Sequence, residues 1–183
     1  MQDIIRLHVP CKLEFTKLVE DFTKISATYL NPKATTEFTQ KLCSVMNEVF
    51  INIVKHSKTS EENEIIRFQF EIGLKYFSIS IYDYGPGFKA NDHLPPYPKE
   101  CIGEKYKLRD VIDGIVYYTV SDPFSIIFSF EEKQDVELDD LMDFEKLNDN
   151  GLGMSIVTKL MDTVTYSYVG NGKFDWKLVK NWE

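Results

Sequence analysis

Cysteine is scarce in this sequence, and what there is has no obvious mate: Cys11, Cys43 and Cys101 are odd in number and far apart. No CxxC pair or metal-ligand spacing occurs, so neither a disulfide framework nor a structural zinc site is expected. The thiols read as reduced, as in a cytoplasmic protein. Long apolar runs are missing as well. Nothing approaches the roughly 18 residues of a membrane span, and the first residues, Met-Gln-Asp-Ile-Ile-Arg, lack a signal-peptide pattern. Positive charge is in deficit, with 21 Lys and Arg against 29 Asp and Glu for a net charge of −8. That excludes an overall electrostatic footprint for nucleic acid or anionic membrane. There is no internal repeat and no linker long enough to divide the chain, so one domain spanning residues 1–183 is expected. Core-forming residues are plentiful instead: 43% hydrophobic and 14% aromatic content argue against disorder.

Apolar periodicity organises the chain around one helix, from about Thr36 to Ser57. Phe38, Leu42, Val45, Met46, Val49, Phe50 and Ile53 recur at spacings of three and four, one stripe of a 3.6-residue period. Glu48, Asn52 and His56 stand four apart and climb one side of the helix, beside the stripe rather than opposite it. Upstream, Ile4 to Val9 predicts a strand at a sheet edge, ended by Pro10. A first helix follows from about Leu13 to Tyr29, with Phe15, Leu18, Val19, Phe22 and Ile25 as its apolar positions and Asn31-Pro32 as its stop.

Beyond the long helix, Ile65–Phe70 and Phe77–Asp83 predict a hairpin through Gly73-Leu74-Lys75. Phe77, Ile79 and Ile81 point one way, and Asp83 continues that buried parity, where an acid is costly unless something pairs with it. Two further strands are expected at Ile115–Val120 and Phe124–Phe130, around Ser121-Asp122-Pro123. Glu131 to Glu145 carries eight acids against one lysine and reads as a solvated face. A short helix from about Met154 to Met161 and a last hairpin, Thr163–Val169 and Phe174–Val179 turned at Asn171-Gly172, complete the chain.

Three stretches carry chemistry. In Asp83-Tyr84-Gly85-Pro86-Gly87, an acid at a strand end can accept a hydrogen bond from an exocyclic amine, and the glycines let a flat ring approach the backbone; adenine offers both features. Calcium loops and plain turns share that pattern. Gly151-Leu152-Gly153, leading into a helix, offers backbone N–H groups to an anion. The Asn52 carboxamide could give magnesium a hard oxygen ligand without repelling phosphates, and Glu48, one turn earlier, could serve as general base.

Taken in order, Glu-x3-Asn-x3-His, Asp-x-Gly-x-Gly and Gly-Leu-Gly-Met resemble the N, G1 and G2 boxes of the GHKL (Bergerat) ATPase superfamily. With the opening strand-Pro-helix, the chain looks most like the RsbW-like anti-sigma-factor serine kinases. The resemblance implies an α+β fold: a two-layer α/β sandwich in which a mixed, mostly antiparallel sheet carries helices on one face, with ATP on the helical side. It implies Asn52 as magnesium ligand, Glu48 as catalytic base, Asp83 on the adenine amino group, Gly85 and Gly87 shaping that pocket, and Gly151, Leu152, Gly153 and Met154 at the nucleotide. His56 matches the N-box histidine, with a structural role at the helix end. The partners implied are a STAS-domain antagonist, phosphorylated on serine, a sigma factor, and a second copy of the chain.

Two departures from the family pattern stand out. The short ATP lid expected between G1 and G2 is replaced by a long segment with an enlarged lid or insertion at about residues 89–134, and Gly172-Lys173 stands where glycine-threonine is common. Long segments of this kind are usually functional. A partner-gripping, non-catalytic ATP switch is therefore the alternative expectation to a kinase. The insertion's aromatics Tyr97, Tyr106, Tyr117 and Tyr118 could face a partner or form a small core of their own. A histidine-kinase catalytic domain would need a phosphoacceptor helix upstream, and a gyrase- or MutL-like ATPase a transducer domain downstream; neither is expected from this sequence.

Overall fold

Thr35 sets the start of the long helix: its hydroxyl accepts the Phe38 N–H at 3.1 Å, an N-cap that satisfies one orphan donor. In the computed structural model, which describes residues 3–30, 35–56, 65–111, 113–133 and 152–181, this helix is α2, Thr36–His56. Its predicted stripe is the buried one. Leu42, Val45, Met46, Val49, Phe50 and Ile53 are all inside, with Phe38 packed at the margin. Phe50 lies 6.3 Å from Phe68 of the sheet, ring centre to centre. Truncating such a buried phenylalanine costs about 3–5 kcal/mol.

The first helix comprises a 3-10 turn, Leu13–Phe15, and α1, Thr16–Leu30, packed against α2. Its buried face matches the predicted one only in part: Phe15, Val19 and Phe22 pack against the core. Val19, Thr23, Ser26 and Ala27 are inside, while Leu18 and Ile25 are 46% and 58% exposed. Small residues permit the close approach, and the Thr23 hydroxyl is satisfied by the Val19 carbonyl at 2.7 Å.

Eight strands form one sheet: β1 Asp3–Pro10, β2 Ile65–Ile72, β3 Tyr76–Asp83, β4 Lys105–Val111, β5 Gly114–Asp122, β6 Ser125–Glu132, β7 Thr163–Gly170 and β8 Lys173–Asn181. The order is β1-β2-β3-β8-β7-β6-β5-β4, and every described pairing is antiparallel. β1 is an edge strand, as Pro10 predicts. The β7–β8 hairpin turns at Asn171 (φ 52°) and Gly172 (φ 73°), the left-handed pair that a tight hairpin requires. The third described helix, α3, Leu152–Leu160, packs on α2 and against β6 and β7. Helices cover one face of the sheet, which is the α+β sandwich expected.

From Lys105 to Glu132 the insertion is mostly strand. β5 and β6 match the two expected strands, and β6 pairs with β7 through Ser125–Ile127, so β4–β6 extend the sheet by three strands. Tyr97 and Tyr118 are buried and Tyr106 half-buried in the same core as the helices, so no separate core forms among them. The acidic stretch beyond Lys133 and residue Gly151 lie outside the described residues. All three cysteines are buried and free.

Candidate functional site

The inward parity of β3 ends on Asp83, which is only 4% exposed and pairs in register with Phe174 of β8. Its neighbour Gly85 donates a backbone N–H to the carboxylate, yet Oδ1 has no hydrogen-bond partner. Burial pushes the Asp83 pKa up to about 7; the Gly85 N–H pulls it back and the nearby Asp175 carboxylate raises it further. A buried acceptor left open in this way is expensive. It is also what a ligand amine would complete.

Gly85 and Gly87 are glycine for steric reasons. A Cβ on Gly85 would stand 2.0 Å from the Tyr166 hydroxyl, and Gly87 has φ +74° with Phe174 and Leu94 at 3.1 Å from a built Cβ. The Gly87 N–H hydrogen-bonds the Tyr166 hydroxyl, whose pKa is raised by burial first and by Asp83 second. The G1 turn is thus folded onto β7 with no room to spare on one side.

On the other side lies a cavity of about 180 Å³. Asn52, Val49 and Ile53 of α2 form one wall; Asp83, Pro86, Gly87 and Phe88 form another; Met154, Tyr166 and Trp176 close it. Such a volume suits a flat heterocycle rather than a whole nucleotide. Asn52 is exposed at the rim, and Glu48, also exposed, lies one turn earlier on α2 outside the cavity lining. Neither side chain has a hydrogen bond or ion pair among the described residues. Leu152 and Gly153 are the first two residues of α3, so backbone N–H groups free of helical partners begin beside Met154. The His56 side chain and Gly151 are not among the described features.

The structure therefore brings Asn52, Asp83, Gly87 and Met154 to one cavity, with Gly85 and Glu48 outside its lining. Sequence reasoning missed Phe88, Tyr166 and Trp176. Phe88 stands at the centre of an aromatic group, 5.3 Å from both Phe128 and Tyr166, 5.7 Å from Tyr118 and 6.1 Å from Trp176. Tyr166 stacks on Phe174 at 4.6 Å. The parity of the last hairpin, with Val164 and Leu178 inside, was a usable signal that Tyr166 and Trp176 point inward. Nothing local showed that this hairpin lies beside β3.

The open Asp83 acceptor, the glycine floor and the apolar walls fit an adenine ring. No group of three or more His, Cys, Asp or Glu among the described residues could hold a metal by itself. Asn52 could supply only one protein ligand, which suits an ion that arrives with a triphosphate and keeps several waters. No helix among the described residues is long and apolar enough to cross a membrane.

A family model described as the histidine kinase-like ATPase domain matches residues 20–174, from α1 to the start of β8. No curated protein matches the chain. With the match covering most of its length, the chain belongs to the histidine kinase-like ATPase domain family, a GHKL-type ATPase family that implies ATP binding.

Proposed function

We propose that this ATP-binding domain is a magnesium-dependent serine-protein kinase of the RsbW-like, anti-sigma-factor type. The observation that carries the reading is Asn52 on the wall of the Asp83 cavity with Glu48 one helical turn away on the same helix. Asp83 would accept the adenine amino group at its open Oδ1, and the start of α3 would offer N–H groups to phosphate. Asn52 would ligate magnesium through its amide oxygen, and that ion would supply charge neutralisation along the triphosphate. Glu48 would take the proton of a substrate serine as its oxygen bonds to the terminal phosphorus and the bond to the ADP oxygen breaks.

The substrate proposed is a serine on a STAS-domain antagonist, with a sigma factor held in an alternative complex and a second copy of the chain as dimer partner. Exposed Leu18 and Ile25 on α1 support an uncovered interface. A cytoplasmic setting is part of the proposal, and the three free, buried cysteines are compatible with it.

A second reading has its own support. Glu48 lies outside the cavity lining, and the three added strands enlarge the surface beside the site. In that reading the domain is an ATP-dependent switch that grips a partner without phosphate transfer. Intact mass of a bound STAS partner after incubation with Mg-ATP separates the two. A mass gain of one phosphoryl group that Glu48→Ala abolishes supports the kinase; a genuine complex with no gain supports the switch.

A further inference from the structure

The sheet face turned away from the helices carries a second cavity, and its lining is cationic. On β1 and β2, the inward positions belong to Leu7, Val9, Ile66, Phe68 and Phe70, so Arg6, His8, Arg67 and Gln69 take the outward ones. Strand register places His8, Arg67 and Tyr82 in one row and Arg6, Gln69 and Ser80 in the next. Lys173, at the start of β8, reaches the same end of the sheet, its ammonium 5.1 Å from the Tyr84 ring centre. Arg6, His8, Arg67, Tyr82, Tyr84 and Lys173 line a cavity of about 370 Å³, within the size range of small-ligand sites.

Three cationic side chains in one cavity are unexpected in a chain of net charge −8. Six lysines elsewhere, Lys17, Lys41, Lys105, Lys107, Lys159 and Lys180, each meet a carboxylate. Among the described residues, Arg6, Arg67 and Lys173 meet none. The Arg6 Nε donates to Gln69 Oε1 at 3.0 Å, which orients the guanidinium and leaves its terminal nitrogens for a ligand. The one carboxylate in the lining, Asp83, is shared with the nucleotide cavity. Two guanidinium groups and an ammonium outnumber that one carboxylate, and an anion of more than one charge offsets their mutual repulsion. Paired guanidinium forks match phosphoryl oxygens in geometry as well as charge.

We propose that this cavity is a second binding site, distinct from the nucleotide cavity, for the phosphoryl group of a small molecule. Arg6 and Arg67 hold its oxygens, Lys173 adds a third charge, His8 offers a ring nitrogen, and Tyr82 and Tyr84 offer surface to an organic body where the ligand has one. The site does not depend on the kinase reading.

The test is a titration of the protein with inorganic phosphate and, separately, with ribose 5-phosphate, followed by amide NMR shifts at constant ionic strength. Shifts centred on Arg6, His8 and Arg67 are expected, with affinity falling about tenfold or more in Arg67→Gln and in Arg6→Gln, as loss of a charged hydrogen bond predicts. Both positions are on the outward face of edge-side strands, and unchanged ATP binding in the same variants shows that the fold is kept. Tighter binding of the ester assigns the site to phosphorylated metabolites; equal binding assigns it to free phosphate, and either upholds phosphoryl recognition. No shift at these amides, unchanged affinity in both variants, or shifts centred on Asn52 and Gly87 would overturn the proposal. Asn52→Ala is expected to retain the probe, so failure of ATP binding and failure of this site are separately visible.

Discussion

Asp83 and Tyr166 hold the two glycines of one turn: the Gly85 N–H donates to the carboxylate and the Gly87 N–H to the phenol. Each residue is buried, and the aspartate carries an acceptor that the protein leaves open. Under the proposed function, ligand recognition at this turn rests on a group that folding alone does not satisfy, an arrangement that local stability opposes.

That cost should be visible in the pH dependence of stability. Unfolded, Asp83 releases its proton near pH 4; folded, it does so near 7. The stabilisation is complete below about pH 4 and is lost as pH rises through about 7. Burial holds Asp175 up to about 6, which adds a loss of the same sign in a lower window. Asp83→Asn should raise the stability of the ligand-free protein at pH 8, on the order of 3 kcal/mol if the neutral amide packs as the acid does. Urea midpoints of both proteins at pH 5 and pH 8 check this; equal midpoints at pH 8 would contradict it.

Nucleotide affinity should run the other way. An amine donor wants the ionised carboxylate, so protonation of Asp83 competes with binding, and affinity should fall about tenfold between pH 8 and pH 6. Asp83→Asn should bind more weakly at pH 8 and show a flatter profile. The variant also reports any contribution from titration of the nucleotide itself.

Gly85→Ala should destabilise by about 1–3 kcal/mol and remove nucleotide binding, because its Cβ would stand 2.0 Å from the Tyr166 hydroxyl. The next atom of that ring is 3.3 Å away. Gly85→Ala combined with Tyr166→Phe should therefore recover much of the stability. Thermal unfolding of the two single variants and the double variant measures the coupling, and simple additivity would rule out the clash.

Phe88 joins the nucleotide cavity to the added strands, touching Tyr166 and Trp176 on one side and Tyr118 and Phe128 on the other. Phe88→Ala should cost about 3 kcal/mol. It should also speed amide exchange in β5 and β6 while weakening ATP binding. Exchange raised only around the cavity would mean that the added strands stand independently of it.

The local elements were legible because each is written in its own periodicity. The α2 stripe, the alternating β2–β3 hairpin and the Asn171-Gly172 turn need no partner to be recognised, and the strand-end acid and its glycines mark the G1 turn in the same way. β4 escaped because Lys105, Lys107 and Arg109 alternate with Tyr106 and Leu108, the charged pattern of an edge strand. On α1, Leu18 and Ile25 look like core residues, yet tertiary packing buries the face with Val19, Thr23, Ser26 and Ala27 instead. The aromatic group around Phe88 and the cations beside Arg67 depend on strand order, which no local pattern encodes.

The most direct test is calorimetric titration of ATP, with and without magnesium, into the wild-type protein and Asn52→Ala. Magnesium-enhanced binding to the wild type, lost in the variant while magnesium-free binding of adenosine persists, is the predicted result. ATP binding that is the same in both proteins would contradict the placement of Asn52 at the metal, and no ATP binding to the wild type would contradict the site itself.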